Sequence, residues 1–399
     1  MVTLALTCLI FLLLFILYIS IKIQGSPYIL IVFISMWLMA LISLLFFESD
    51  IVNNYCSSTA FLFIGMHFIF FSIGNIFFAQ IKQVRIPKIP IEIMHIYFIL
   101  FALSFLGTIL IAYSINLKQY ILEQQIVQLR DDGFEGNINI NKYFKFLSNF
   151  IYPFSVVAGM AFSRYKNFYL LFALVSTALV FSLINGGKGS LLIISILFIG
   201  GLIFSSSRFT KAENGKLKWG LTFMAILLMV YIVYISYSRM LADNKEFDLK
   251  AILKEIFIYF SYSIPAFSKW LSISNLSYLG FDLRQLSISR EIVAFGGGHI
   301  DRVVDKTIVY IPEQFNVFTA FGDSILAFGY IGSLLYYTFI GGIIRLIDKN
   351  RKDNKMPFLY ALFFLFVSYS LFTDIFFFMI GAWLCLLFNF IFKIKETSV

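Results

Sequence analysis

The first stretch whose residue types and order suit a ligand is Asn185-Gly186-Gly187-Lys188-Gly189-Ser190. Its glycines let backbone approach a bound group closely, amides at the start of a following helix favour an anion, and Lys188 adds a full positive charge. That describes a phosphate-binding corner; the competing reading is a tight helical hairpin whose lysine snorkels to water. Arginines are the second resource. Arg130, Arg239, Arg284, Arg290 and Arg302 are interleaved with Asp131, Asp132, Glu135, Asp243, Asp282, Glu291, Asp301 and Asp305. A planar guanidinium grips phosphate oxygens bidentately, and its alternative here is a solvated ion pair. Arg239 is the strongest of the set, because it directly follows an apolar run.

Proton transfer has few candidates. His299 follows Gly296-Gly297-Gly298, which could bring an imidazole to a reacting hydroxyl or simply leave it in a loop. Asp323 sits one turn into a long apolar run, and a carboxylate at such depth marks a functional site by default, as a base or as a partner for a hydroxyl. Asp374 reads as the marker of a turn. His67 and His95 lie within apolar runs and read as packing or hydrogen-bonding residues. Neither H-E-x-x-H nor G-x-S-x-G occurs, so metal-dependent and serine hydrolase chemistry drop out and no cofactor is expected. Cys8, Cys56 and Cys385 stand far apart, which indicates neither a disulfide framework nor a metal site.

The elements that must position these residues are membrane helices. With 60% hydrophobic and 13% charged residues in 399, the chain has about half the charge of an ordinary soluble globule. Apolar runs of about 20 residues, the length a bilayer core requires, recur from end to end, and no alternation at period two suggests a barrel. Spans are expected at 2–21, 27–47, 58–79, 91–115, 146–162, 168–184, 190–205, 219–237 and 318–344. Two shorter ones fit within 357–392, for about eleven in an all-α polytopic integral membrane protein. The first run has no basic n-region and no small-residue cleavage site, so it reads as a retained helix. No internal repeat of the kind that builds many transporters is visible.

Sidedness follows from the basic residues. Although the formal charge is +9, lysines and arginines recur in short clusters between apolar runs, the pattern of topology anchors and not of a nucleic-acid surface. If the helices alternate, 17 of them, from Lys22 to Lys395, fall on one side. The N-terminus is therefore expected outside and the C-terminus in the cytoplasm. The whole chain, 1–399, is then one membrane domain with two large outer loops, 116–145 and 239–315. Within the second, 252–279 reads as an interfacial or re-entrant segment with Trp270 and the Lys254 and Lys269 stems at headgroup level; the alternative is a packed lid.

Pro312-Glu313-Gln314-Phe315-Asn316-Val317-Phe318-Thr319, continuing into Phe328-Gly329-Tyr330-Ile331-Gly332, resembles the late signature of Wzy-type O-antigen polymerases, the oligosaccharide repeat unit polymerases. Gly186 to Ser190 is similar to that family's Gly-Gly-Arg-Gly-Ser, with lysine for arginine. Phe315 stands where the related O-antigen ligases carry histidine, and Ala327 where polymerases often carry an acid; Asp323 lies on the same helical face. The resemblance implies a GT-C-like glycosyltransferase of the bacterial inner membrane with periplasmic loops. It implies that undecaprenyl-diphosphate-linked glycans are joined there, with membrane lipids, a chain-length regulator and a flippase as partners. It would give Arg239, Lys188, Arg130, Arg284 and Arg290 to the leaving diphosphate, and Asn316 and Thr319 to the glycan. His299, Glu291 and Asp323 then compete for the general base. A ligase and a lipid-linked oligosaccharide flippase or transporter are the rival functions. A transporter would be expected to place charges inside the helix bundle, whereas most expected spans here carry none.

Overall fold

The structure, a computed structural model, describes residues 1–24, 28–47, 49–78, 88–122, 129, 140–185, 188–205, 222, 225–226, 228–238, 248, 262–274, 279–298, 300, 309–311, 313–315, 319–350 and 356–395. The described residues are predominantly helical, with two short two-stranded pairings, 89–92 with 392–395 and 309–311 with 313–315, and the apolar helices are those of a membrane-embedded protein. Six described helices are long and apolar enough to cross a bilayer: Val2–Lys22, Tyr28–Phe46, Ser58–Phe77, Ile93–Ser114, Lys142–Tyr165 and Thr319–Lys349. Shorter apolar helices, Phe168–Ile184, Gly189–Ser205, Leu228–Ser238, Pro357–Tyr369 and Ile380–Ile391, occupy the positions of the remaining expected spans.

By the packing of its elements the chain divides into two compact units. The first comprises Met1–Arg85, Lys254–Asn350 and Phe366–Ile380; the second comprises Ile86–Leu253, Arg351–Leu365 and Gly381–Val399. Each is built on a backbone-to-backbone helix contact that only glycine permits. In the first unit a side chain at Gly74 would collide with the Thr338 carbonyl and one at Gly341 with the Phe71 carbonyl, so each helix carries the gap for the other. Asn75 Nδ2 then donates to the Gly341 oxygen at 3.2 Å across the same contact. The second unit repeats the device, with Gly159 against the Phe198 carbonyl and Gly201 against the Val156 carbonyl. Lipid gives apolar helices no reason to associate, and close approach through small residues supplies the packing and the interhelical hydrogen bond that do.

Helix starts are set by short polar side chains. Ser57 Oγ accepts from Ala60 N, Asn141 Oδ1 from Tyr143 N and Asn167 Oδ1 from Tyr169 N, each satisfying an amide that the helix itself leaves open. The span expected at 146–162 is resolved into Lys142–Ser148 and Ile151–Tyr165, with a turn at 149–150.

The connections meet in a pattern. Within the first unit, Ser57 N donates to Ser268 Oγ at 2.8 Å, joining the loop before residue 58 to the loop 239–315. Within the second, Ile111, Ile115, Leu117, Leu129 and Ile184 form one apolar cluster. At the opposite helix ends Tyr97 donates to the Leu170 carbonyl at 2.8 Å, and Ile89–Glu92 pairs in parallel with Phe392–Lys395. Each contact joins segments that simple alternation of the expected spans puts on a common side.

Ser263–Ile273 is the described helix of the segment expected at the interface. Its 11 residues rise about 16 Å, half a hydrocarbon core. The Trp270 ring is buried, with Phe267 beside it at 6.0 Å. Phe267 in turn packs on Phe321 at 6.4 Å, so protein covers these two rings, while Ile273 at the end of the helix is exposed.

Candidate functional site

The first unit gathers the chemistry at a broken helix. Thr319–Asn350 is one helix in outline, interrupted at Gly329, whose φ of 71° and ψ of −178° lie in a region that essentially glycine alone adopts. The interruption takes the Ala327 and Phe328 carbonyls out of the regular ladder. They accept instead from the loop 239–315: Asp282 N reaches the Ala327 oxygen at 2.7 Å and Gly280 N the Phe328 oxygen at 2.9 Å. A Cβ at Gly332 would lie 2.8 Å from the Phe328 Cβ and 3.7 Å from Leu279 Cδ1, so this glycine clears space for the ring and for the incoming chain. The Phe-Gly-x-x-Gly element thus has a local physical meaning, a helix break and a socket.

What docks there is the arginine segment. Asp282 Oδ1 accepts from Arg284 N at 3.1 Å and from Arg284 Nε at 2.8 Å, while Oδ2 accepts from Arg284 Nη2 at 3.2 Å. The Arg284 side-chain hydrogen bond holds the Asp282 carboxyl below the usual carboxylate range, and Asp282 raises the guanidinium in return. Arg284 nevertheless stands exposed, with a face free for solvent exchange. Downstream, Ser287 Oγ donates to the Phe376 carbonyl at 2.9 Å and Arg290 Nη2 donates to the Phe377 carbonyl. Those oxygens close the short helix Ile375–Phe378, where a cation is favoured by the local dipole. Glu291 follows on the same helix, Ser287–Phe295, half-buried.

Two buried carboxylates lie in the same unit. Asp323 Oδ2 accepts from Thr373 Oγ1 at 2.6 Å and from Asp374 N at 2.9 Å. Asp374 caps Ile375–Phe378 through Oδ1, at 2.9 Å from Phe376 N, and accepts from the Tyr336 hydroxyl through Oδ2 at 2.9 Å. Asp323, from sequence a candidate base or partner for a hydroxyl, is 3% exposed and serves the turn at 373–374. Asp374 does mark a turn, as expected, but with its carboxylate fully enclosed. The short helix is therefore held at its start by Asp374 and at its end by Ser287 and Arg290.

His67 is the other buried polar residue of note. Nδ1 lies 2.9 Å from the Phe63 carbonyl, which can only accept, so that nitrogen carries the proton; Nε2 meets Ser333 Oγ at 3.0 Å. Rings of Phe321 at 4.5 Å and Tyr337 at 5.2 Å enclose it, which makes it a packed, hydrogen-bonded residue as its sequence context suggests. His95 Nδ1 lies 3.3 Å from a Glu92 carboxylate oxygen, with both side chains exposed.

Of the residues singled out by sequence, the structure brings Arg284, Arg290, Glu291 and Asp323 into one unit, the first three on one docked segment. Thr319 opens the broken helix with its hydroxyl buried and without a hydrogen-bond partner among the described residues. Arg130, Arg239, His299 and Asn316 lie outside the described residues, as does the Lys188 side chain, although the helix Lys188–Ser205 begins at that position. Sequence reasoning missed Tyr336, Thr373 and Ser287, and gave Asp374 no chemistry. A signal existed for Asp374 alone, an aspartate immediately before a helical run, the position where carboxylates cap. Among the described residues no group of three His, Cys, Asp or Glu side chains could hold a metal ion. No protein-family model, no curated protein and no solved structure matches the chain.

Proposed function

We propose that this chain is a polymerase of lipid-linked glycan repeat units, a glycosyltransferase of the bacterial inner membrane acting at its non-cytoplasmic face. The observation that carries the reading is the docking of Gly280 and Asp282 onto the carbonyls freed at Gly329, which fixes an arginine-bearing loop at a helix break in the very element that resembles the polymerase signature. Eleven spans, the N-terminus outside, and a donor that is already activated as a diphosphate belong to the same proposal.

The reaction asks for little. A hydroxyl of the acceptor glycan attacks the anomeric carbon of the donor; the bond from that carbon to the diphosphate oxygen breaks; the hydroxyl proton passes to a base. Arg284 is the guanidinium with an open face, held beside Asp282, which a phosphate oxygen can displace. It would stabilise charge as the diphosphate leaves, the role that the resemblance also implies for Arg239, Arg130 and Lys188. Arg290, spent on the Phe377 carbonyl, positions the segment. His299, Glu291 and Asp323 remain the proposed candidates for the base, the Asp323 carboxylate accepting from Thr373 and Asp374 in the resting structure. Asn316 and Thr319 remain the proposed glycan contacts.

Reconstituted protein supplied with its lipid-linked repeat unit should yield a ladder of multiples, and Arg284→Ala should slow its appearance by about 100-fold, the loss typical of removing one charge-stabilising donor. An unchanged ladder in that variant would remove Arg284 from the account. Transbilayer movement of the lipid without new glycosidic bonds would favour a transporter instead. One observation supports that second reading: Asp323 and Asp374 are carboxylates buried in a helical unit, where transporters place the groups of a substrate path.

A further inference from the structure

A run of large apolar side chains lies open on the docked arginine segment. Leu279 is 68% exposed, Phe281 79%, Leu283 44% and Ile292 66%. The backbone beneath them is fixed, by Gly280 N and Asp282 N on the broken helix and by Ser287 and Arg290 on the Phe376 and Phe377 carbonyls. A held segment with this much bare apolar surface is covered by something in use.

The neighbouring helix says what covers it. Beyond the break, Ile331, Leu335 and Phe339 are 52%, 59% and 55% exposed at a spacing of four, an apolar stripe on a helix long enough to span. Leu279 sits beside Gly332, the residue after Ile331, so the open side chains of the segment continue that stripe past the end of the unbroken helix. Backbone at lipid level must have its polar groups satisfied by protein, and the amides of Gly280 and Asp282 are satisfied by the carbonyls that the break releases. Arg284 extends from among these residues with its guanidinium exposed, the arrangement of an apolar body with a cation at phosphate height.

We propose that residues 279–292 lie in the bilayer itself, with Leu279, Phe281, Leu283 and Ile292 among the outer ends of the acyl chains and Arg284 at the level of the phospholipid phosphates, where a phosphate oxygen competes with Asp282 for the guanidinium. The partner is the lipid surface. The inference stands on the continuity of two apolar surfaces and does not depend on any catalytic role for the chain.

Full-length protein in which Cys8 is replaced by serine, with the buried Cys56 and Cys385 retained, would carry a nitroxide at Phe281→Cys, Leu279→Cys or Ile292→Cys in turn. In nanodiscs of phosphatidylethanolamine and phosphatidylglycerol, the ratio of collision with oxygen to collision with a water-soluble nickel chelate reads lipid against water. Leu335→Cys supplies the lipid reference and the exposed Lys393→Cys the aqueous one. The expected result is a ratio at positions 281 and 292 severalfold above that at 393 and close to that at 335. Nickel-dominated collision at these positions would overturn the proposal, and so would low collision with both reagents, which would put a protein partner or a second copy of the chain on the patch. Three independent label positions keep the outcome readable if one substitution fails to fold.

Discussion

Replacing Gly329 with alanine is expected to lower the stability of the first unit by about 1–3 kcal/mol, the strain of placing a side chain where φ is 71° and ψ is −178°. The chain has one escape, which is to straighten. A regular helix through 329 would return the Ala327 and Phe328 carbonyls to donors four residues on, and the amides of Gly280 and Asp282 would lose their acceptors. Either way the arginine segment loosens, so the diagnostic is hydrogen exchange. Amides 280 and 282 should be protected in the parent and exchange faster in Gly329→Ala, with a lowered thermal midpoint in detergent. Unchanged protection at both amides would mean that the break does not hold the loop.

The second large effect is at Asp323. Asp323→Ala removes the acceptor that the Thr373 hydroxyl and the Asp374 amide use, at about 1–3 kcal/mol each. Together they approach the whole stability of many proteins, and the variant is expected to accumulate poorly. Asp323→Asn keeps one carbonyl oxygen in place and exchanges charged for neutral hydrogen bonds, a loss of about 1–2 kcal/mol. The expected order of thermal midpoints is parent, then asparagine, then alanine. If Asp323→Asn kept the parent's midpoint and abolished glycan transfer, Asp323 would be a catalytic base and Glu291 would lose that role.

Periodicity and composition carried the fold a long way, since bilayer thickness sets helix length and the expected 168–184 span coincides with Phe168–Ile184. Tertiary pairing was beyond them. The reciprocal gaps at Gly74 and Gly341, 267 positions apart in sequence (341 − 74), become meaningful only once their helices are side by side. The Phe-Gly-x-x-Gly element was visible as a pattern, but a sequence does not show that Gly329 leaves the helix or which amides take up the carbonyls it frees. The partners of Asp323 were out of reach for a related reason, since a carboxylate one turn from a helix start does not announce that a hydroxyl 50 residues on and an amide 51 residues on will donate to it. Nor can an amphipathic segment declare whether lipid or protein meets a given ring, and Trp270 is buried with Phe267 beside it.

Any role in joining lipid-linked glycans depends on which side of the membrane the docked arginine segment faces. In a Cys8→Ser background, Arg284→Cys and Lys393→Cys would be exposed in intact spheroplasts to a maleimide that does not cross membranes. Labelling of position 284 before lysis and of position 393 only afterwards is the predicted result. Labelling of 393 in intact spheroplasts with 284 protected would place the segment in the cytoplasm and contradict the account.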